Sequence, residues 1–194
     1  MSEKALTTYE KFLATLTPKQ AKQFSKEQKE FFILEMVFAA QEFAYNPSGL
    51  IISNLEQEAE SQEYGACRFD LGQKHIKFRV AKITPKKVGQ FVTFWKRMGD
   101  GPIMPYDVND HFDFLIVSVR KVDCLGQFIF PKNVLLQKGL LSKDGRGGKR
   151  AMRVYSVWDI TESLQAKKTQ GWQLLYFVEL QPVLDKVKIQ KLFL

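Results

Sequence analysis

Asp70 and the run Val80-Ala81-Lys82 are the residues whose types and spacing come nearest to catalytic chemistry. A carboxylate at the end of one strand, with an acid-x-lysine triplet on the next, suits phosphodiester cleavage. Two carboxylates hold Mg²⁺ while the lysine orients or activates the attacking water. A hairpin carrying Asp70 on one strand and Lys82 on the next has the right spacing. Val80 stands where the second acid belongs, so Asp70 is the motif's single metal ligand. Glu56, Glu60 and Glu63 are the upstream carboxylates that could replace the missing one. The competing reading is an ordinary basic hairpin that cleaves nothing and needs no cofactor.

Charge is concentrated around that hairpin. Residues 71–99 hold eight Lys/Arg and no Asp or Glu: Lys74, Lys77, Arg79, Lys82, Lys86, Lys87, Lys96 and Arg97. The chain has 29 Lys/Arg and 21 Asp/Glu, for a net charge of +8. Removing the eight leaves 21 of each, so this one segment makes the protein basic. Phe78, Phe91, Phe94 and Trp95 are interleaved with the cations. Such a stretch repels itself, and an anionic partner, most commonly a polyphosphate, relieves the repulsion. The alternative is neutralisation by Glu56, Glu58, Glu60 and Glu63 folded against it.

Other chemistries fail on their residues. No G-x-S-x-G occurs, which removes the hydrolase elbow. Gly145-Arg146-Gly147-Gly148-Lys149-Arg150 lacks the earlier Gly and the Ser/Thr after Lys149 that a P-loop needs. His75 and His111 are far apart in sequence, and neither lies near a Cys at zinc-ligand spacing. Asp107, Asp110, His111 and Asp113 read as a polar turn capping a strand in preference to a divalent-metal site. Cys67 and Cys124, without CxxC spacing, read as buried free thiols in a reducing cytoplasm. No run is long and uncharged enough to span a bilayer, so the expectation is a soluble protein without a membrane partner.

The elements that must position these residues follow from pattern. Thr17-Pro18 marks a helix start, and Ser25 with Gln28 makes a capping box before a helix over 26–44. Residues 64–71 and 75–83 alternate as two strands about a Gly72-Gln73 turn. Thr84-Pro85 then opens a helix whose face carries Phe91, Phe94 and Trp95. Phe112 to Val122 is a central strand apolar on both faces, paired with Leu125–Phe130, and Pro131 starts a short helix that ends at Gly139. Residues 143–150 form a basic loop, 152–158 a strand and 161–180 a mostly helical segment, with 186–194 an edge strand or tail. Gly89-Gln90-Phe91-Val92 echoes Gly126-Gln127-Phe128-Ile129, but the echo does not extend, the two copies fall in different predicted elements, and it reads as chance. The expectation is one α/β (α+β) domain over 1–194, with a helical N-terminal part (1–60) and a mixed sheet flanked by helices (61–194).

Several stretches resemble the MepB family in order along the chain. They are 78–87, 89–92, Trp95-Lys96-Arg97, 126–132, Lys149-Arg150, Arg153-Val154-Tyr155, Trp158-Asp159, 169–173 and Tyr176-Phe177. The family takes its name from a gene beside a staphylococcal multidrug efflux pump. The resemblance implies a restriction-endonuclease-like fold of the PD-(D/E)XK type, here with a degenerate motif, and a nucleic-acid-binding role without an established activity. Under that reading Arg79, Lys82, Lys86, Lys87, Lys96, Arg97, Lys149, Arg150, Arg153, Lys167 and Lys168 neutralise phosphates. Trp95, Tyr155, Trp158 and Trp172 offer stacking faces, core packing being the rival role above all for Trp158 and Trp172. Gln170 and Gln173 reach base edges.

The expected function is therefore binding of nucleic acid, DNA ahead of RNA, through a basic face and without efficient catalysis. The alternatives are a Mg²⁺-dependent nuclease using Asp70 and Lys82 with a displaced second carboxylate, and a regulatory module that meets an acidic protein partner.

Overall fold

A computed structural model describes residues 36–121, 124–180 and 185–193. A six-stranded mixed sheet divides it into two layers. Its strands are β1 (Ile52–Gln57), β2 (Cys67–Leu71), β3 (Lys74–Val80), β6 (Phe114–Lys121), β7 (Cys124–Pro131) and β11 (Phe177–Glu179), hydrogen-bonded in that order. β3 and β6 run parallel, and the other neighbours are antiparallel. This is an α+β architecture with a mixed central sheet, as expected.

Side-chain alternation builds both cores. Ile76, Phe78, Phe114, Ile116, Leu125, Ile129 and Val178 face one way. They meet the helical segment 36–45 and helix α3 (Lys186–Phe193). Leu115, Val117, Val119, Phe128, Phe130 and Phe177 face the other way, where a second, three-stranded sheet covers them. That sheet has the order β10 (Ala151–Val154), β5 (Lys87–Thr93) and β4 (Lys82–Thr84). Helices α1 (Lys132–Gln137) and α2 (Leu164–Gln173) close the same side, and β8 (Ser142–Lys143) with β9 (Arg146–Gly147) forms a small exposed hairpin. With each large apolar side chain contributing about 1.5–3 kcal/mol on burial, the two faces of β6 and β7 dominate the stability. One polar chain crosses the first core. The Tyr45 hydroxyl donates to Gln127 Oε1 at 2.6 Å, and Gln127 Nε2 donates to Ser118 Oγ at 2.8 Å. Burial pushes the Tyr45 phenol well above its ordinary range.

Several expected elements are in place. The β2/β3 hairpin closes at Leu71↔Lys74, with Gly72 at φ +60° in its first central turn position. β6 is interior to the sheet, α1 follows Pro131, and Gly139 at φ +65° ends that turn.

Three expectations are corrected. The helix predicted after Pro85 is strand β5. Gly89 sits at φ +77°, and Gln90, Val92 and Phe94 are buried in alternation, so period two overrides the helical spacing of Phe91, Phe94 and Trp95. The tail at 186–193 is helix α3, which buries Ile189 and Phe193 one turn apart and is capped by Asp185 Oδ1 accepting from Lys188 N. The sheet begins at β1, inside the part expected to be helical. Of the helix expected over 26–44, residues 36–45 are helical, and the rest lies outside the described residues, as do Thr17 and Pro18. No helix among the described residues is long and apolar enough to cross a membrane.

Candidate nucleic-acid interface

The second layer contains a groove of about 540 Å³ between the three-stranded sheet, the end of α1 and α2. β5 and β10 pair through Phe91↔Arg153 and Gln90↔Val154, so Lys87, Val88 and Arg153 form its sheet side. α2 is locked to the end of β10 by Gln173, which accepts from Tyr155 N at 2.9 Å and donates to Arg153 O at 3.0 Å. Trp172, beside it, packs on Phe130 with ring centroids 5.3 Å apart. Tyr155 rises over Gly89, where a Cβ would lie 2.5 Å from Tyr155 Cδ1 and 2.7 Å from Val154 O. Glycine is required there by both the positive φ and the contact.

Four cations line the groove, Lys87, Lys138, Lys149 and Arg153, against one carboxylate, Glu162. None of the seven ion pairs found among the described residues engages these four. Lys87, Lys138 and Lys149 are exposed, whereas Arg153 is half-buried and donates to Gly89 O at 2.9 Å. The Lys138 ammonium lies 5.4 Å from the Trp172 ring centre. Like charges converging on a concave surface focus a positive potential.

Of the residues predicted to bind nucleic acid, the groove assembles Lys87, Lys149, Arg153, Tyr155, Trp172 and Gln173. Lys86 and Arg150 are exposed beside Lys87 and Lys149 but outside the lining. Gln170 and Gln173 cannot read bases as expected. Gln170 Nε2 donates to Ser156 O and Asp159 O while its oxygen accepts from Thr161, and both Gln173 amide groups are engaged as above. Trp95, Lys96 and Arg97 lie on the segment after β5, outside the groove. Lys96 pairs with Asp110, and Arg97 donates to Gly101 O at 3.2 Å with its guanidinium 5.8 Å from the Trp95 ring.

Arg79 is the plainest correction, since it is fully buried. Its Nη1 lies 2.6 Å from Glu58 Oε2, and it donates to Phe78 O at 2.8 Å and to Tyr106 at 3.4 Å. Glu58 also pairs with Lys77, Glu63 with Lys82 (3.0 Å) and Glu56 with Arg68. Alternation along β3 turns Lys77 and Arg79 under the segment after β5, and a buried cation persists only beside a counter-charge. Lys77, Arg79, Lys82 and Lys96, half of the basic segment's eight cations, are thus ion-paired within the fold. The remaining positive charge meets cations from later in the chain. Lys138 was missed in the sequence because it follows a short helix, and nothing local ties it to Lys87 or Lys149.

The predicted catalytic pair does not assemble. Asp70 sits opposite His75 at the turn end of the hairpin, while Lys82 lies beyond the other end of β3, paired with Phe91 in the second sheet. Seven residues of extended chain separate His75 from Lys82, about 23 Å at roughly 3.3 Å each. Asp70 Oδ2 accepts from Asn54 Nδ2 at 2.7 Å, and Oδ1 lies 2.8 Å from His75 Nδ1. These bonds, Asn54's first, hold the carboxyl below its ordinary range. With both oxygens engaged, Asp70 does not fit the Mg²⁺-ligand role. Of the carboxylates offered as replacements, Glu56 is paired with Arg68 and Glu63 with Lys82.

His75 and His111 are not distant as expected from sequence. Their ring centroids are 4.1 Å apart because the parallel register Ile76↔Phe114 joins the starts of β3 and β6. Asp113 accepts from His75 N, Asp110 from Asp107 N, and Asp107 from Asn109 N and the Ser142 hydroxyl. That is a polar turn, and no group of three or more potential metal ligands occurs among the described residues.

The family model described as MepB-like matches residues 58–179, the stretch that carries both sides of the groove. The chain belongs to the MepB-like family. It superposes on the crystal structure of MepB with a TM-score of 0.66 at 30% identity, covering 78% of this chain and 97% of that one. A bacterial homing endonuclease, I-Ssp6803I, superposes more loosely, with a TM-score of 0.42 at 14% identity over 75% of this chain and 89% of that one. Among curated proteins none matches. In this MepB-like chain the stretches that resemble the family build β3, β4, β5, β7, β10 and α2.

Proposed function

We propose that this MepB-like protein binds nucleic acid, DNA ahead of RNA, through the groove between the second sheet and α2. The observation that carries this reading is the convergence of Lys87, Lys138, Lys149 and Arg153 on one concavity with a single opposing carboxylate. A phosphate backbone supplies the charge that such a site lacks, and Tyr155 adds an aromatic surface. Cleavage forms no part of the proposal, because Asp70 and Lys82 lie at opposite ends of β3. The two free thiols fit action in the reducing cytoplasm. Mobility-shift titrations with DNA and RNA at several salt concentrations test the reading. Binding that weakens steeply with salt and is lost on reversing Lys138 and Lys149 supports it. Absence of binding to every oligonucleotide overturns it and leaves an acidic protein as the partner to seek.

A further inference from the structure

We infer that the groove accepts one unpaired strand and excludes the duplex, an inference that rests on the nucleic-acid reading above. Size is the first ground. A space of about 540 Å³ is that of a small-molecule pocket, too small to take in both strands of a duplex. A duplex can lie only across the mouth, where it meets the exposed lysines and leaves the half-buried Arg153 and Tyr155 untouched.

The kinds of residue and their placement are the second ground. Cations and aromatic rings share this surface, with Tyr155 beside Arg153 and Lys138 over Trp172. A single strand presents phosphates and unstacked bases in alternation and uses both, whereas a duplex keeps its base faces inside.

The experiment compares a fluorescein-labelled single-stranded DNA of about 15 nucleotides, at the upper end of single-domain site sizes, with its duplex in anisotropy titrations. The full chain is used at one fixed salt concentration. The single strand is expected to bind at least about tenfold tighter. Tyr155→Ala is expected to weaken single-strand binding roughly five- to a hundredfold, the range for losing one stacked base, and to leave the residual duplex affinity unchanged. Lys149→Glu, at an exposed position, provides a second variant should Tyr155→Ala unfold. If the duplex binds as tightly as the single strand, and Lys149→Glu weakens both, the groove binds nucleic acid but the strand inference is overturned. Single-strand binding that neither variant alters places the site elsewhere and also overturns it. Absence of binding to either form defeats both this inference and the function proposed above.

Discussion

The salt dependence of binding can be worked out from the four cations of the groove. Each phosphate neutralised on B-DNA adds about −0.9 to the slope of log affinity against log salt, and each on a single strand about −0.7. A single strand that meets Lys87, Lys138, Lys149 and Arg153 gives a slope of about −2.8, and a duplex that meets the three exposed lysines gives about −2.7. Between 50 and 200 mM salt the affinity then falls about 50-fold for a single strand and about 40-fold for a duplex. Had the whole basic segment served, the fall would exceed a thousandfold. The ion pairs of Lys77, Arg79, Lys82 and Lys96 remove that option. Lys138→Ala and Lys149→Ala should each reduce the slope by about one contact. Lys77→Ala should leave it unchanged. Anisotropy titrations at four or five salt concentrations read these slopes directly. A wild-type slope shallower than about −1, or one indifferent to both groove substitutions, would refute the assignment of the contacts.

Four further outcomes follow from the fold. Glu58→Gln strands the buried Arg79 cation and should cost about 3–5 kcal/mol. Calorimetry should show this as a drop in Tm of roughly 10 °C, and an unchanged Tm would mean that Arg79 finds another partner. Gly89→Ala meets Tyr155 and Val154 at positive φ and should destabilise by about 1–3 kcal/mol, whereas Gly145→Ala, with open space around it, should cost less in the same denaturant titration. The Asp70 carboxyl is held low in the native state. Its contribution is complete above the ordinary carboxylate range and is lost as pH falls through the depressed native value. Asp70→Asn should therefore lower Tm in the neutral region, change it little in acid and so flatten the acid limb of a Tm-against-pH curve, with the salt slope unaltered. Burial raises the Cys67 thiol to about 12, so a thiol reagent at pH 8 should modify the partly exposed Cys124 first and Cys67 only on unfolding. Equal rates would contradict that burial.

What the sequence disclosed was local. The β2/β3 hairpin, the β6/β7 pair and α1 follow from alternation and from Gly72, Pro131 and Gly139, each acting on its immediate neighbours. β5 was misread because Phe91, Phe94 and Trp95 share a helical spacing by coincidence, while the antiparallel partners β4 and β10 that make it a strand lie across a turn and some 60 residues on. The parallel β3–β6 register, which sets His75 beside His111, is also invisible locally. The candidate site was half legible for the same reason. Cations are visible in a sequence, but their counter-charges are not, and Glu58 decides the fate of Arg79 from 21 positions away. The echo of Gly89–Val92 in Gly126–Ile129 has a structural counterpart. Both stretches are strands, a partner-strand or adjoining aromatic (Tyr155 or Phe177) lies over each glycine, and each following glutamine is buried and bonded.

The Tyr45–Gln127–Ser118 chain bears on how the central sheet finds its alignment. Ser118 and Gln127 face each other across β6 and β7, amid buried positions otherwise filled mostly by apolar side chains. Sliding one strand by two positions would keep every apolar residue on its own side of the sheet. It would, however, leave an amide and a hydroxyl unsatisfied in the dry interior. A pair of polar residues thereby acts as a key that only one threading of the hairpin can turn, and the groove on the far face inherits its shape from that choice.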